Sequence, residues 1–531
     1  MHRTTLFTAL MGGTALVLAS PAYAQELPEA QQDQAAPDAS DATADAEIAA
    51  AAPVDDAQAK IELLQAQVEA LQEALEGVKA AMVKSTPSWK GGPLFEDKGE
   101  GWSFKPRGRL QWDAGYVSNP DDAINTRNLG FNTRARRIRL GVEGTIPGDF
   151  GYKFEADFAN SSVGFGDVIL TYAPKDKIYS FTIGNHETFN GLEQITSSRF
   201  ISFLERAAFN DAFTNTRRIG VSMGLANKAN TLRFNAGVFA AHSIDSGFDN
   251  EGMIFGARGV YAPLMGANQL HFGANFQHRN FQSNNGATVS NSVGAPSTNQ
   301  LARYRARPFT QTTDQRFVDT GAFAANSDNI IGLEFGGIFK SLHVSAEGQY
   351  TTVSSDYSVG DVLTGLDQFA LNSAGLPAYV VPTGNPTFWG GYVEAGYFLT
   401  GETRGYKNGT WDRTKVLKPF SKGGWGAWQV IGRADYLDLD SNKLKNARTN
   451  NFETGTSSLS SSRLGRGGKQ LGLLAGLTWI PEDYMRVLFN YSHAQITGGP
   501  QAATVKPDSD KPVDERKYGV HVFTTRFQID F

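Results

Sequence analysis

Cysteine is absent from the 531 residues, which excludes disulfides, thiolate metal sites and cysteine nucleophiles together. Past the N-terminal run, no segment approaches the roughly 18 uninterrupted apolar residues that a membrane-crossing helix needs. If the chain spans a bilayer at all, a closed β-barrel is the form left to it. Histidine is scarce, at 8, and there is no Walker loop, no His-Glu-x-x-His and no Gly-x-Ser-x-Gly. We therefore expect no enzyme, no metal and no cofactor, and nothing points to nucleic acid.

His2 and Arg3 precede an apolar run from Leu6 to Leu18, and small residues then surround Ala22-Tyr23-Ala24. This pattern predicts a secretory signal peptide over 1–24. Residues 25–59 lack Lys and Arg and are rich in Ala, Gln, Pro and Asp, a composition that predicts an acidic, disordered tether. Ile61, Leu64, Val68, Leu71, Leu75, Val78 and Met82 then alternate at spacings of three and four, which predicts a self-associating coiled-coil helix over 60–86. So short a seam needs an assembly already held by something larger, and a trimer is the expected one. A solitary amphipathic helix lying on a neighbouring surface would use the same residues. Pro87, Gly91, Gly92 and Pro93 mark a linker over 87–100.

From Trp102 the apolar period falls to two, and about sixteen segments of roughly ten residues follow. In the last, Phe523, Thr525, Phe527, Ile529 and Phe531 share one parity, and Thr524, Arg526, Gln528 and Asp530 take the other. The first face suits lipid and the second a wet lumen. Leu471, Leu473, Ala475, Leu477 and Trp479 repeat the pattern, as do Ile219, Val221, Met223 and Leu225. The other segments centre near 110, 140, 155, 169, 181, 236, 258, 273, 335, 347, 395, 431 and 491. Short turns, such as Pro147-Gly148-Asp149 and Pro481-Glu482-Asp483, largely alternate with long links. One long link, 402–424, stands where a short turn is due: either that turn is elaborated or the count is off by a strand pair. The expected fold is an all-β transmembrane antiparallel barrel of about 16 strands over 101–531. A soluble all-β repeat protein would also alternate, but has no reason to end on an aromatic strand.

The net charge of −5 conceals a division. Of 49 basic and 54 acidic residues, 6 and 16 lie before residue 101, leaving 43 and 38 beyond it. Parity places Lys105, Arg107 and Arg109 in the lumen opposite Phe104, Leu110 and Trp112, and Arg137 and Arg139 opposite Ile138 and Leu140. A charge facing lipid costs about 2–4 kcal/mol at the midplane. Arginines lining a narrow pore attract anions and replace part of their hydration; the same arginines could merely pair with lumenal carboxylates. Arg303, Arg305 and Arg307, spaced by two in a long link, point one way if extended. Such a row could guide anions inward or bind lipopolysaccharide phosphates from a surface loop. Segment 185–216 suits a loop folded into the lumen, where Ser197, Ser198, Arg199 and Arg206 could donate to an oxyanion.

The strings "FKPRGRLQ", "RRIRLGVEGT", "GLEQITSS" with "FLER", "RARPFTQTTDQRFVDTG", "GYVEAGYFLTGETRGYK" and "GAWQVIGRADYLDLD" make residues 104 to 531 resemble the phosphate-selective porin O and P family. The resemblance implies a 16-stranded outer-membrane trimer with an inward-folded third loop and arginines leading anions to a constriction. It also implies that Arg109, Arg136, Arg137, Ser197, Ser198 and Arg206 match the family's constriction set; Arg136 enters on this ground alone, since parity does not place it inside. Phosphate-specific members carry Lys in "GLEKxTSS", and this chain has Gln194. The leading expectation is an outer-membrane porin passing small anions: phosphate, related oxyanions and chloride. The others are a general-diffusion porin, a barrel that tethers the envelope by binding peptidoglycan or periplasmic proteins through its N-terminal region, and, more distantly, an outer-membrane hydrolase.

Overall fold

The computed structural model describes residues 54–85, 88–89, 91–120, 127–159, 163–213, 215–244, 252–281, 301–356, 380–382, 384–446 and 467–531. The expected signal peptide over 1–24 and most of the expected tether over 25–59 lie outside them. A helix, α1 (Val54–Ser85), carries the heptad seam and begins six residues before the expected start. Ile61, Leu64, Val68, Leu71 and Leu75 are all exposed on it.

Sixteen antiparallel strands form the barrel. They are β1 Trp102–Val117, β2 Gly130–Ile146, β3 Phe150–Asp157, β4 Gly164–Tyr172, β5 Tyr179–His186, β6 Arg218–Ala226, β7 Leu232–Ala240 and β8 Met253–Tyr261. The second half comprises β9 Asn268–Asn280, β10 Phe323–Phe339, β11 Leu342–Ser355, β12 Thr387–Phe398, β13 Ala427–Asp438, β14 Lys469–Glu482, β15 Met485–Thr497 and β16 Lys517–Asp530. Each pairs with its chain neighbours, and β16 closes on β1 with Asp530 opposite Arg109 and Val522 opposite Val117. Closure leaves no open edge. Every segment predicted from alternation corresponds to one of these strands. The linker contributes too: Pro93–Asp97 pairs with Trp102 to Phe104, extending the wall where β16 has ended.

The 402–424 anomaly resolves as an elaborated turn, since the strand count is unchanged and residues 399–426 join β12 to β13 at the short-turn end. Short turns mark the periplasmic side of such barrels.

The lumen is filled unevenly. Two long links fold inward: 187–217, with the short helices α2 (Leu192–Ile195) and α3 (Ala208–Phe213), and 301–320. The second crosses the lumen, since Arg134 and Asn132 of β2 bond to its Gln311 and Thr312 carbonyls while Gln470 of β14 bonds to its Arg307 carbonyl. Phe203, Phe209, Phe213, Tyr304, Phe309 and Phe317 from these links pack on Ile330, Phe388, Ile431, Leu474 and Tyr518 of the wall. This buried cluster lies inside the barrel mainly against β10 to β16, and the open space is left beside β1 to β7.

Candidate functional site

The open space is a cavity of about 770 Å³. Its basic wall begins with parity, because Arg109, Arg137 and Arg139 alternate with outward Leu110, Ile138 and Leu140. A β-bulge then adds what parity cannot supply. The β1–β2 register passes from Gln111 opposite Arg137 to Trp112 opposite Ala135, which leaves Arg136 as the extra residue. A bulge re-aims a side chain, and Arg136 turns inward to grip Glu205 with two bonds of 2.8 and 3.1 Å. Arg134 and Arg136 thereby join Arg137 and Arg139 on the lumenal side.

The four wall arginines that line the cavity differ in how their charge is met. Arg139 donates to Asp157 and Glu155, each at 2.7 Å, and Arg109 to Ser198 Oγ at 2.7 Å and Glu155 at 3.4 Å. Glu205 is shared between Arg136 and Arg526, the latter at 2.9 Å. Burial opposes ionisation of Glu205, yet these two guanidiniums hold its carboxyl well below the usual carboxylate range. Among the described residues Arg137 hydrogen-bonds only the neutral Gln111, at 2.8 Å, and its buried Nε has no partner there.

The inward loop is set by glycine and by carboxylates of the opposite wall. Gly191 has φ 107°, and a Cβ there would lie 2.7 Å from Glu347, so only glycine fits without rearrangement. Glu347 accepts the Glu193 N–H at 2.8 Å; the Glu193 carboxylate takes Arg433 at 2.5 Å, the Ala207 N–H at 2.8 Å and Asn210 at 3.0 Å. Arg206 ties the loop to itself, donating to the carbonyls of Glu193, Gln194 and Thr196; no carboxylate among the described residues hydrogen-bonds it. Ser198 accepts from Arg109 and Ser197 from Arg199, at 3.2 Å, which leaves each hydroxyl proton free to donate. Gln194 is buried and donates to Glu187 at 3.2 Å, and Glu187 pairs with Arg217 at 2.7 Å.

Arg109, Arg136, Arg137, Arg139, Gln194, Ser197, Ser198 and Arg206 all line this cavity. Of the row in the second inward link, Arg307 lines it and bonds to Asp211 at 3.3 Å, whereas Arg303 pairs with Asp319 at 2.6 Å and neither it nor Arg305 reaches the cavity. Counting the whole lining, nine Lys and Arg face five Asp and Glu.

The profile of the family described as phosphate-selective porin O and P matches residues 104–531. The chain belongs to that family. This porin is 32% identical over 462 residues to an uncharacterised protein of Caulobacter vibrioides, covering 85% of this chain and 78% of the relative. Solved structures similar to it include the outer membrane channel DcaP of Acinetobacter baumannii, with 13% identity, a TM-score of 0.43, and 82% of this chain and 99% of that one covered. An anion-selective porin from Comamonas acidovorans is 12% identical with a TM-score of 0.43, covering 81% and 100% of the two chains.

Sequence reasoning missed three parts of the porin's site. Lys153, Asp167 and Arg217 form a network beside the adjoining strands β3 and β4, Arg217 Nε lying 2.5 Å from Asp167 while Lys153 pairs with the same carboxylate; lumen parity of β3 and β4 could have found the first two. Glu193 is the loop's main anchor, and its place in "GLEQITSS" gave no hint of Arg433, 240 residues away. The third is the periplasmic link. Its hairpin, Gly405–Lys407 with Thr410–Asp412, enters the lumen, where the Trp411 N–H donates to Thr196 Oγ1 at 3.3 Å, Tyr406 contacts His271 at 2.7 Å and Arg404 lies 4.2 Å over the Trp411 ring. The inward loop is thus supported from below.

Proposed function

We propose that this outer-membrane porin passes small anions, phosphate or related oxyanions and chloride, by passive diffusion through the cavity between the β1–β2 wall and the inward loop. The supporting observation is the excess of cations in the lining, nine against five, with Arg137 and Arg206 held by neutral groups. Cations fixed in a narrow pore raise the local anion concentration and exclude other cations. Reversal potentials in planar bilayers under a salt gradient test this: an anion-favouring sign is expected, and a cation-favouring sign would overturn it. A general-diffusion pore would give a potential near zero.

The assembly we propose is a homotrimer held by the barrel, exported by a signal peptide over 1–24 and carrying the acidic segment 25–59 and a coiled coil over 60–86 on the periplasmic side. Two features support it: the exposed heptad seam of α1, and strands β3 to β8, which at 8 or 9 residues are no longer than the roughly 9–11 residues a spanning strand needs. So short a wall is better covered by a neighbouring subunit than by lipid. Deletion of 25–90 should leave trimers on mild-detergent gels; monomers would assign the assembly to the coiled coil.

A further inference from the structure

The periplasmic link between β12 and β13 has two halves that face opposite ways. Residues 405–412 enter the lumen as described above. Residues 415–425 instead carry some of the most exposed large apolar side chains on the barrel: Leu417 at 60%, Phe420 at 63% and Trp425 at 81%. Their exposure comes from an ordered turn and not from a loose one. Val416 is buried with Phe398, Ala427 and Ile480, and the turn is closed by Gly424 N–H to the Pro419 carbonyl at 3.0 Å and Gly426 N–H to the Lys418 carbonyl at 2.9 Å. Glu482 accepts the Ser421 N–H at 2.5 Å.

This turn is continuous with the outward aromatic rim of the barrel. Trp428 and Trp479, facing each other across β13 and β14, stack at 5.7 Å. Both indole N–H groups donate to the Trp425 carbonyl, at 3.2 and 2.8 Å, and Phe420 meets Trp479 edge-on at 6.3 Å. Lys415, Lys418 and Lys422 stand exposed among the apolar side chains, and no Asp or Glu occurs from 413 to 425. Indole rings favour the boundary between acyl chains and headgroups, and clustered lysines beside it attract anionic lipid.

We propose that residues 415–425 form a lipid-binding foot. Leu417, Phe420 and Trp425 sit in the acyl–headgroup boundary of the periplasmic leaflet, and Lys415, Lys418 and Lys422 bind anionic phospholipid headgroups. The proposal rests on the reading of the barrel as membrane-spanning.

Because the chain has no cysteine, single spin labels are unambiguous. Trp425→Cys and, as a control on the lipid-facing wall, Leu473→Cys are labelled in the full-length porin, reconstituted in phosphatidylcholine with and without phosphatidylglycerol. Accessibility to oxygen and to an aqueous nickel chelate then gives depth. The label at 425 is expected at the interface and that at 473 deeper. If 473 is lipid-exposed while 425 is aqueous, the foot is overturned and the barrel reading stands; if both are aqueous, the barrel reading itself fails. A second arm measures the association of spin-labelled phosphatidylglycerol relative to phosphatidylcholine. The combined Lys415→Gln, Lys418→Gln, Lys422→Gln variant should lower that preference roughly a hundredfold, from a per-lysine effect of about fivefold, with conductance unchanged. No loss of preference would overturn the headgroup assignment.

Discussion

The two lumenal walls, β1–β2 and β10–β13, obey the same alternation of outward apolar and inward charged residues, yet their charges do different work. On the second, Glu347 accepts the Glu193 N–H at 2.8 Å, Asp435 accepts the Ala208 N–H at 3.2 Å, and Arg433 bridges Glu193 to Glu394, both at 2.5 Å. These groups are consumed in holding the inward loop. On the first wall the loop presents serine hydroxyls and one carboxylate to a larger number of guanidiniums, and Arg137 is left with a neutral amide. The side of the loop that each wall meets decides whether an inward charge becomes an anchor or faces the cavity.

The comparison breaks most severely at the bulge. Deleting Ala135 would remove the bulge by drawing Arg136 into the outward place opposite Trp112, which turns its guanidinium toward lipid and takes it from Glu205. We expect this deletion to cost more than about 4 kcal/mol and to abolish the heat-resistant folded band on gels, whereas Arg136→Ala, which keeps the bulge, still folds.

Breaking the anchoring wall comes next. Arg433→Met leaves Glu193 buried without its cation and Glu394 with Arg404 alone, a loss of about 3–5 kcal/mol. The thermal midpoint should fall, and single-channel current should rise and become noisier as the loop loosens. An unchanged midpoint and quiet current would show that the loop is held elsewhere.

Glu205 sharpens the picture through pH. Its folded-state pKa is depressed by Arg136 and Arg526, so its stabilisation is complete above the unfolded value of about 4.3 and is lost only as pH falls through the folded one. The stability gap between wild type and Glu205→Gln should stay constant from about pH 8 to 5 and close only in stronger acid. A gap closing near neutral pH would contradict the pairing.

On the basic wall, Arg137→Ala and Glu155→Gln should move selectivity in opposite directions. The first removes a cation with no hydrogen-bonded carboxylate; the second frees Arg109 from its carboxylate and leaves Arg139 with Asp157 alone. In a water-filled pore, where a unit charge about 4 Å away is worth about 1 kcal/mol, either change amounts to a several-fold change in the anion-to-cation permeability ratio read from reversal potentials. Shifts of the same sign would sink the comparison of the walls.

Gln194→Lys should have the smallest effect. A lysine there adds the charge that strengthens contacts to phosphate, but it meets Glu187 first, the present partner of the Gln194 amide at 3.2 Å. Phosphate block of chloride current should be shallow in wild type and deepen only a few-fold in the variant, with a larger gain when Glu187→Gln is added. Strong block of the wild type at low phosphate would remove any special role for this position.

The strands were legible because the rule that generates them is local: a side chain's face follows from its parity, and lipid on one side with water on the other stamps that parity on the composition. Trp102 to Phe531 therefore disclosed the barrel, its strand number and the inward direction of Arg109, Arg137 and Arg139, and the motif strings disclosed the family. Parity could not reach Arg136, whose direction depends on one unpaired residue in the register between β1 and β2. Nor could it show that the 402–424 segment sends Trp411 into the lumen while Trp425, just beyond it, faces outward, or that Glu193 seeks Arg433. Those outcomes depend on pairings between residues far apart in the chain, where a buried charge settles beside whichever partner the closed barrel brings within reach. The sequence by itself determined a closed sheet with cations on its inner face; only the tertiary structure decided which of those cations are neutralised and which still face the cavity.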